Sequence, residues 1–365
     1  MWSSSRKCAR SDLAITMREL IGARSRTRDR YWLHALLFVL TFLSTMMAGA
    51  QWAGLSPEQF SEITNWGAGL TYALLIILFL SAHEFGHYIA ARIHGVDASL
   101  PYFIPMPLIL FGTMGAVIRT RSIIPSRTVL FDIGIAGPLS GFVVSLGILV
   151  YGFTHLPGIE SLYVIHPEYV AEGGIPATGM FFGDTILFSA FRSWFVDAEQ
   201  WMPPMNEFYH YPFLCVGWFG LFVTALNLAP FGSLDGGHIL YALVGGVWQR
   251  RIARVLWWTV FTLGILSLVG IINLYLQEPS PSAFVVFLQN TIGEPLTAID
   301  RAVPWLFHIG EGWLVWALFV RFLVKVDHPE LPDQESIGTG RRVLGWMSMA
   351  ILVLCMPAQI IYVVG

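Results

Sequence analysis

Long apolar segments are the feature that most limits what this chain can fold into. A helix needs roughly 17 to 25 apolar residues to cross a bilayer. Six stretches meet that length, at about 32–50, 69–93, 129–153, 211–230, 255–276 and 343–364, and a seventh, shorter one lies at about 304–326. Composition agrees, because 55% of the 365 residues are hydrophobic and only 12% are charged, whereas soluble domains carry about 25% charged residues. We therefore expect an all-α polytopic membrane protein with about six to seven transmembrane helices.

The positions of the basic residues predict the orientation in the bilayer, because loops rich in Lys and Arg stay on the cytoplasmic side. Only Arg192 and Arg301 fall in one set of alternate loops. The other 19 of the 21 basic residues lie before residue 32 or within 92–127, 250–254 and 321–342. This distribution predicts seven spans, with a cytoplasmic N terminus and a C terminus on the outside.

The apolar stretches also divide the chain into parts. Residues 1–31 are predicted to form a basic cytoplasmic tail, 32–250 a membrane-embedded core, and 251–365 the C-terminal transmembrane helices. Within the core, residues 154–210 are too few for an independent domain, and we expect them to form an extracytoplasmic cap. The tail is rich in Arg and Ser, as organelle transit peptides are. We favour a cytoplasmic tail, and therefore a bacterial inner membrane, over a transit segment.

Two classes of partner or site are disfavoured by composition. The net charge is only -3 and no basic cluster is interleaved with aromatic residues, so nucleic acid is not expected as a partner. The three cysteines, Cys8, Cys215 and Cys355, are far apart and show no CxxC spacing. Neither a disulfide framework nor a cysteine-type zinc site is therefore predicted.

The segment SAHEFGHYIA, residues 81–90, carries ionisable groups at the end of an apolar run. In a helix His83 and His87 lie on one face, where both imidazoles can bind one ion, and Glu84 lies beside them. This H-E-x-x-H arrangement lets zinc activate water while the glutamate accepts the proton. In soluble proteins such a pair is more often surface or core, but within a span it marks a functional site by default. We expect Gly86 to leave this helix face open to a substrate backbone.

A catalytic zinc site needs a third protein ligand and one open position. Polar residues in apolar surroundings give four candidates, Asp132, Asn227, Asp235 and His238. The span that ends before Asp235 is predicted to run from the outside to the inside, as does the helix that carries His83. The ends of both helices therefore lie near the cytoplasmic face. Asp132 begins an oppositely directed span at the same level, so topology alone leaves it open, although an acid near a helix start is the simpler interpretation.

Two distant segments together resemble the site-2 proteases, a family of intramembrane zinc metalloproteases. They are HEFGH at 83–87 and N-x-x-P-x-x-x-L-D-G at 227–236. FGTMGAVI at 111–118 is similar to the family's glycine-containing segment, and PSRTVLFDIGIAGPLSGF at 125–142 to its A-G-P helix. The motifs have the family's order and topology over about residues 70–250. The closest branch lacks a PDZ domain and includes the ethylene-dependent gravitropism-deficient and yellow-green proteins.

The resemblance implies a role for each matching residue at the centre of the site. His83, His87 and Asp235 would bind Zn²⁺, and Glu84 would act as general base and then as general acid. We expect His238 to be a hydrogen-bond partner of this site or a residue at the membrane interface rather than a ligand.

Other matching residues have two interpretations each. Asn227 would hydrogen-bond the substrate carbonyl or the developing oxyanion, or would cap the broken helix before Pro230. Gly112 and Gly115 would let an unwound substrate pair with a short re-entrant β segment near the active site, or would simply permit close packing.

The function implied by the resemblance is hydrolysis of peptide bonds within or near transmembrane segments, with single-span membrane proteins as substrates in the lipid bilayer. The alternative is a polytopic metal-ion transporter that uses the same His/Asp site, because intramembrane His and Asp also line ion pathways. Glu84 would have no role in a transporter, and the other spans carry few polar residues. A proteolytically silent scaffold would more naturally have lost a ligand or the base. The sequence leaves the physiological substrate and the oligomeric state open.

Overall fold

The computed structural model describes residues 29–107, 111–197, 199–307, 310, 312–331 and 335–364. Nearly all of the predicted basic tail, including Cys8, lies outside these residues. In chain order the elements are α1 (Tyr31–Trp52), α2 (Pro57–Ser61), α3 (Leu70–Ile93), β1 (Tyr102–Pro105), β2 (Thr113–Val117), α4 (Arg127–Thr154), α5 (Glu160–Ile165), α6 (Glu168–Ala171), β3 (Gly179–Phe182), α7 (Ile186–Phe195), α8 (Pro212–Leu228), α9 (Asp235–Val244), α10 (Gly246–Gln277), α11 (Ala283–Leu288), α12 (Glu294–Ala302), α13 (Pro304–Phe307), α14 (Gly312–Phe319), α15 (Thr339–Cys355) and β4 (Ile361–Val364).

Four of the described helices are long and apolar enough to cross a membrane: α1, α3 with the 3-10 turn that precedes it, α4 and α10. Two shorter apolar helices, at Pro212–Leu228 and Gly312–Val324, fall below that length. The prediction of a mostly helical chain is therefore confirmed. The count of six to seven spans stays a prediction.

Helix α3 has one exposed apolar face and one buried face. Leu74, Leu78, Phe85 and Ile89 form one exposed stripe along it, because positions three, four, seven and eleven residues apart share a helix face. The opposite face carries the two histidines of the HEFGH motif and is buried. An apolar stripe left outside the protein fits contact with lipid, since lipid solvates such side chains.

Helix α4 lies at the centre and packs against α3, α8 and α9. Small residues allow the backbones to approach closely. A Cβ at Gly86 of α3 would overlap the backbone of Ala136 and the hydroxyl of Ser140 on α4. The expectation that Gly86 leaves its helix face open to substrate was therefore wrong, because α4 fills that face.

Strands β1 and β2 form an antiparallel pair in which Tyr102 faces Val117 and Phe103 faces Ala116. Helix α1 packs against both strands, mainly β1, and α3 packs against β2. This is the segment in which the sequence predicts a re-entrant β structure. Its β character is observed, and its position relative to a bilayer stays a prediction.

The predicted last span, 343–364, was wrong in its second half. Helix α15 ends at Cys355, because Pro357 cannot donate a helix hydrogen bond and restricts the residue before it to extended backbone. The following β-branched and aromatic residues form β4, which pairs antiparallel with β3, so that Gly179 faces Val364. The all-α description therefore omits a second two-stranded sheet, which joins the C-terminal segment to the predicted cap.

Candidate metal and catalytic site

The three predicted ligands lie close together, although His87 and Asp235 are 148 positions apart in the sequence. His83 and His87 project from α3, and Asp235 is the first residue of α9. The two histidine Nε2 atoms are 3.1 Å apart. Asp235 Oδ2 lies 3.4 Å from the first Nε2 and 3.2 Å from the second. Two imidazole nitrogens and a carboxylate oxygen at these separations are able to share one ion.

A backbone carbonyl fixes the orientation of one ring. His87 Nδ1 lies 2.7 Å from the carbonyl oxygen of Ile133 in α4. Because a carbonyl only accepts hydrogen bonds, this nitrogen carries the proton, and Nε2 presents its lone pair to Asp235 and His83. A carbonyl that holds the outer nitrogen in this way is typical of metal-binding histidines. The donor set of two imidazoles and one carboxylate fits zinc.

Glycines of α4 make room for the histidines. Gly134, Gly137 and Gly141 lie on one face of that helix, and a Cβ at these positions would meet His238, His87 and His83 respectively. The closest approach is at Gly137, where a methyl group would overlap the imidazole ring. The resemblance identified the A-G-P segment of this helix, but the packing role of its glycine was missed.

The loop between α8 and α9 places the aspartate. A side chain at Gly236 would overlap the carbonyl oxygen of Leu228, and one at Gly237 would overlap the carbonyls of Phe231 and Gly232. The glycine pair therefore lets the loop fold back over the start of α9. The Asp235 carboxylate consequently lies at a helix N terminus, where the macrodipole favours negative charge.

Glu84 is buried, with only 6% of its surface exposed. It follows His83 directly on α3, and its carboxylate lies near the backbone of Ile118, one residue beyond β2. The carboxylate therefore lies between the histidine helix and the end of the β1–β2 pair. Its catalytic role stays a prediction.

The two predicted substrate-binding glycines differ in their surroundings. Both have positive φ, 72° at Gly112 and 94° at Gly115. Gly112 is packed against α1, its carbonyl accepts a hydrogen bond from Ser44 Oγ at 2.7 Å, and an added Cβ would lie 2.7 Å from Cα of Thr45. An added Cβ at Gly115 would meet no described atom within 4 Å. Close packing against α1 therefore explains the glycine at 112, whereas Gly115 in β2 faces open space.

The two other polar candidates, Asp132 and Asn227, lie outside the group of three ligands. Asp132 pairs with Arg341 through both carboxylate oxygens, at 2.7 and 2.8 Å, and lies 3.0 Å from His94 Nε2. It therefore joins the ends of α3, α4 and α15 and is not part of the triad. Asn227 is half-buried in the last turn of α8, next to the loop that leads to Asp235.

His238 has a partner that sequence reasoning missed. Its Nδ1 lies 2.7 Å from Nε2 of His328, which is 4% exposed. The backbone N–H of His328 donates to Gln249 Oε1, and the Gln249 amide donates to the carbonyl of Pro230 at 3.2 Å. These hydrogen bonds link the loop before Asp235 to Gln249 and His328. A lone histidine 90 positions downstream carries no motif that could have indicated this contact.

Comparison with known proteins identifies the same segments. The sequence profile of peptidase family M50 matches residues 71–271, more than half of the chain. Probable zinc metalloprotease EGY1, chloroplastic, of Arabidopsis thaliana is 26% identical over 95% of this chain and 56% of its own length. Probable zinc metalloprotease EGY2, chloroplastic, of the same plant is 29% identical over 72% of this chain and 42% of its own length. The chain thus spans about half the length of these relatives, and no solved structure matches it.

Proposed function

Because the chain belongs to peptidase family M50, the site-2 proteases, we propose that it is an integral membrane zinc metalloprotease. It would hydrolyse peptide bonds within or near transmembrane segments of membrane proteins, with single-span proteins as the preferred substrates. The observation that carries this proposal is the approach of Asp235 Oδ2 to within 3.4 Å of both histidine Nε2 atoms.

His83, His87 and Asp235 would hold the metal. A bound zinc ion supplies Lewis acidity and lowers the pKa of water to near neutrality. Glu84 would accept the proton of the attacking water and then donate it to the leaving amine. Its burial next to His83 favours this role, because the carboxylate then lies beside the metal ligands and is shielded from bulk solvent.

Asn227 would orient the substrate. A side-chain amide at this position would donate a hydrogen bond to the scissile carbonyl oxygen as negative charge develops there. Its place in the last turn of α8, directly before the loop that carries Asp235, supports this assignment. The capping alternative predicts that replacing it changes stability rather than turnover.

The β1–β2 pair would receive the substrate backbone. A helical substrate hides its carbonyls in hydrogen bonds, so cleavage requires local unwinding, which Gly or Pro makes easier. Among the described strands β2 is paired only with β1, and an extended peptide is able to add to such an edge. Open space at Gly115 and the exposed side chains of Met114 and Val117 support this docking position.

The orientation and location are also part of the proposal. On the distribution of basic residues we propose seven spans, a cytoplasmic N terminus, and an active site near the cytoplasmic face. The core at 32–250 with its cap at 154–210 and the C-terminal helices at 251–365 remain the proposed division of the chain. A bacterial inner membrane follows from the interpretation of the tail, whereas the named relatives are chloroplast proteins. The transporter alternative has no support from those relatives, which carry the names of zinc metalloproteases.

The test is Glu84→Gln, with Glu172→Gln on the exposed surface as the matched control. Comparative membrane proteomics of cells that carry each form should show uncut membrane proteins accumulating with Glu84→Gln and not with the control. Purified Glu84→Gln should keep its zinc, because the ligands are unchanged. Equal fragment patterns in the wild type and Glu84→Gln would refute the proteolytic assignment.

A further inference from the structure

A second cluster of metal-binding side chains lies in the predicted cap. It is formed by His166, which follows α5, and by Glu207 and His210 in the turn that leads into α8. The Nε2 atoms of the two histidines are 3.1 Å apart. Glu207 Oε2 lies 3.4 Å from His210 Nε2. One ligand atom from each residue therefore faces a common point.

The outer nitrogens of both histidines face hydrogen-bond acceptors. His166 Nδ1 lies 2.8 Å from the Glu168 carboxylate, and His210 Nδ1 lies 2.5 Å from the carbonyl oxygen of Trp52, the last residue of α1. Neither acceptor can donate, so each Nδ1 carries a proton. In the neutral rings both Nε2 atoms then present lone pairs to each other at 3.1 Å. Such an approach is unfavourable unless a metal cation or an additional proton lies between the lone pairs.

The Glu207 carboxylate has one buried oxygen without a hydrogen-bond donor among the described residues. Side chains of Glu207 and His210 are only 4% and 3% exposed. Tyr169 donates its hydroxyl to Glu207 Oε1 at 2.9 Å, whereas Oε2 is buried and has no hydrogen-bond partner among the described residues. A buried carboxylate oxygen left without a donor costs free energy. The same oxygen is the one that points toward the histidine pair.

We propose that His166, Glu207 and His210 bind a second divalent metal ion, with zinc as the best match. Two imidazoles and a carboxylate are a zinc donor set, and water takes the fourth tetrahedral position. The outer-nitrogen contacts with a carboxylate and a backbone carbonyl are the partners that orient metal-binding histidines. This site is separate from the first, because α8 begins two residues after His210 and ends beside the loop of Asp235, about 25 Å away for a helix of this length.

The second ion would tie three parts of the chain together. His166 belongs to the short cap helices, Glu207 and His210 to the start of α8, and His210 is hydrogen-bonded to the end of α1. The small helices α5 and α6 span only 6 and 4 residues, too short to be stable alone. A metal cross-link would therefore anchor the cap to the outer ends of two membrane helices.

The test is a metal count on the purified full chain in detergent. The protein is stripped with a chelator, reloaded with Zn²⁺, desalted, and measured by inductively coupled plasma mass spectrometry. We expect two zinc ions per chain for the wild type and for the control Glu172→Gln. We expect one for Glu207→Gln, which keeps an oxygen for Tyr169, and one for His166→Gln, a half-buried position with a smaller folding risk. Asp235→Asn should also hold one.

Each outcome decides between the alternatives. One zinc per chain in the wild type, lost in Asp235→Asn, would refute the second site and leave a hydrogen-bonded histidine pair. Two zinc ions in both Glu207→Gln and His166→Gln would also refute it. Loss of one ion in these variants without any loss in Asp235→Asn would support the second site and count against the active-site triad. As an independent readout, added Zn²⁺ should raise the thermal midpoint of Asp235→Asn, and should not raise that of Asp235→Asn combined with Glu207→Gln.

Discussion

Replacing Gly137 by Ala should remove metal from the active site without unfolding the protein. An added Cβ would lie 2.0 Å from Nε2 of His87, whereas ordinary contact begins at 3.4 Å. The imidazole would therefore have to move by about 1.4 Å or rotate. Either movement would also strain the hydrogen bond from Nδ1 to the carbonyl of Ile133.

The expected effect on the metal site is much larger than the effect on stability. Metal–ligand distances tolerate deviations of about 0.2 Å, and loss of an orienting contact alone costs roughly 10- to 100-fold in metal affinity. We therefore expect zinc affinity to fall at least about 100-fold. Overpacking costs about 1 to 3 kcal/mol, while Ala in place of Gly within a helix returns about 1 kcal/mol. The net loss of folding free energy should thus stay at or below about 2 kcal/mol.

The assay combines zinc content per chain with the thermal unfolding midpoint of the same sample. Gly147→Ala is the matched control, because it lies on the same helix and an added Cβ there meets nothing within 4 Å. The control should bind zinc like the wild type. A Gly137→Ala variant with full zinc content at the active site would refute the packing argument.

Further expectations follow from the same contacts. Asp132→Asn should weaken the pairing with Arg341, lower the thermal midpoint slightly, and leave the zinc content unchanged; loss of one zinc would instead make Asp132 a ligand. Gly112→Ala should destabilise the fold by about 2 to 5 kcal/mol in chemical unfolding, because overlap with α1, at about 1 to 3 kcal/mol, adds to the backbone penalty of about 1 to 2 kcal/mol for an unfavourable φ. Gly115→Ala carries only the backbone penalty, of about 1 to 2 kcal/mol, so equal losses at both positions would contradict the packing difference. Chelation should stop cleavage of accumulated substrates, and Zn²⁺ should restore it; cleavage that persists after complete zinc removal would exclude a zinc enzyme.

The residues at the centre of the first site could be predicted because their chemistry is concentrated in short patterns. HEFGH places two ligands and an acid within five positions, and helix geometry alone brings the histidines to one face. Asp235 was one of four candidates until the order of the motifs was compared with a known family. Its proximity to the histidines depends on how α3, α4 and α9 pack, and no local pattern encodes that packing.

Other features were missed because they depend on contacts between distant single residues. His328 lies 90 positions from His238, and in the cap cluster His166 lies 41 positions before Glu207, so that only the short E-x-x-H spacing of Glu207 and His210 could have indicated a site. Gly86 was misread because a glycine on a helix is equally consistent with an open face and with a close helix–helix contact. The last span was overestimated because hydropathy does not distinguish a helix from the apolar strand that follows Pro357.

The pairing of β3 with β4 has a mechanical consequence. Helix α15, which leads into β4, packs against both α8 and α9, and Gly345 of α15 lies in contact distance of Leu243 at the end of α9. An outward swing of the predicted cap, which contains β3, must either break the hydrogen bonds between β3 and β4 or pull on α15. Displacement of the cap would in that way be transmitted through α15 to α9, whose first residue is Asp235.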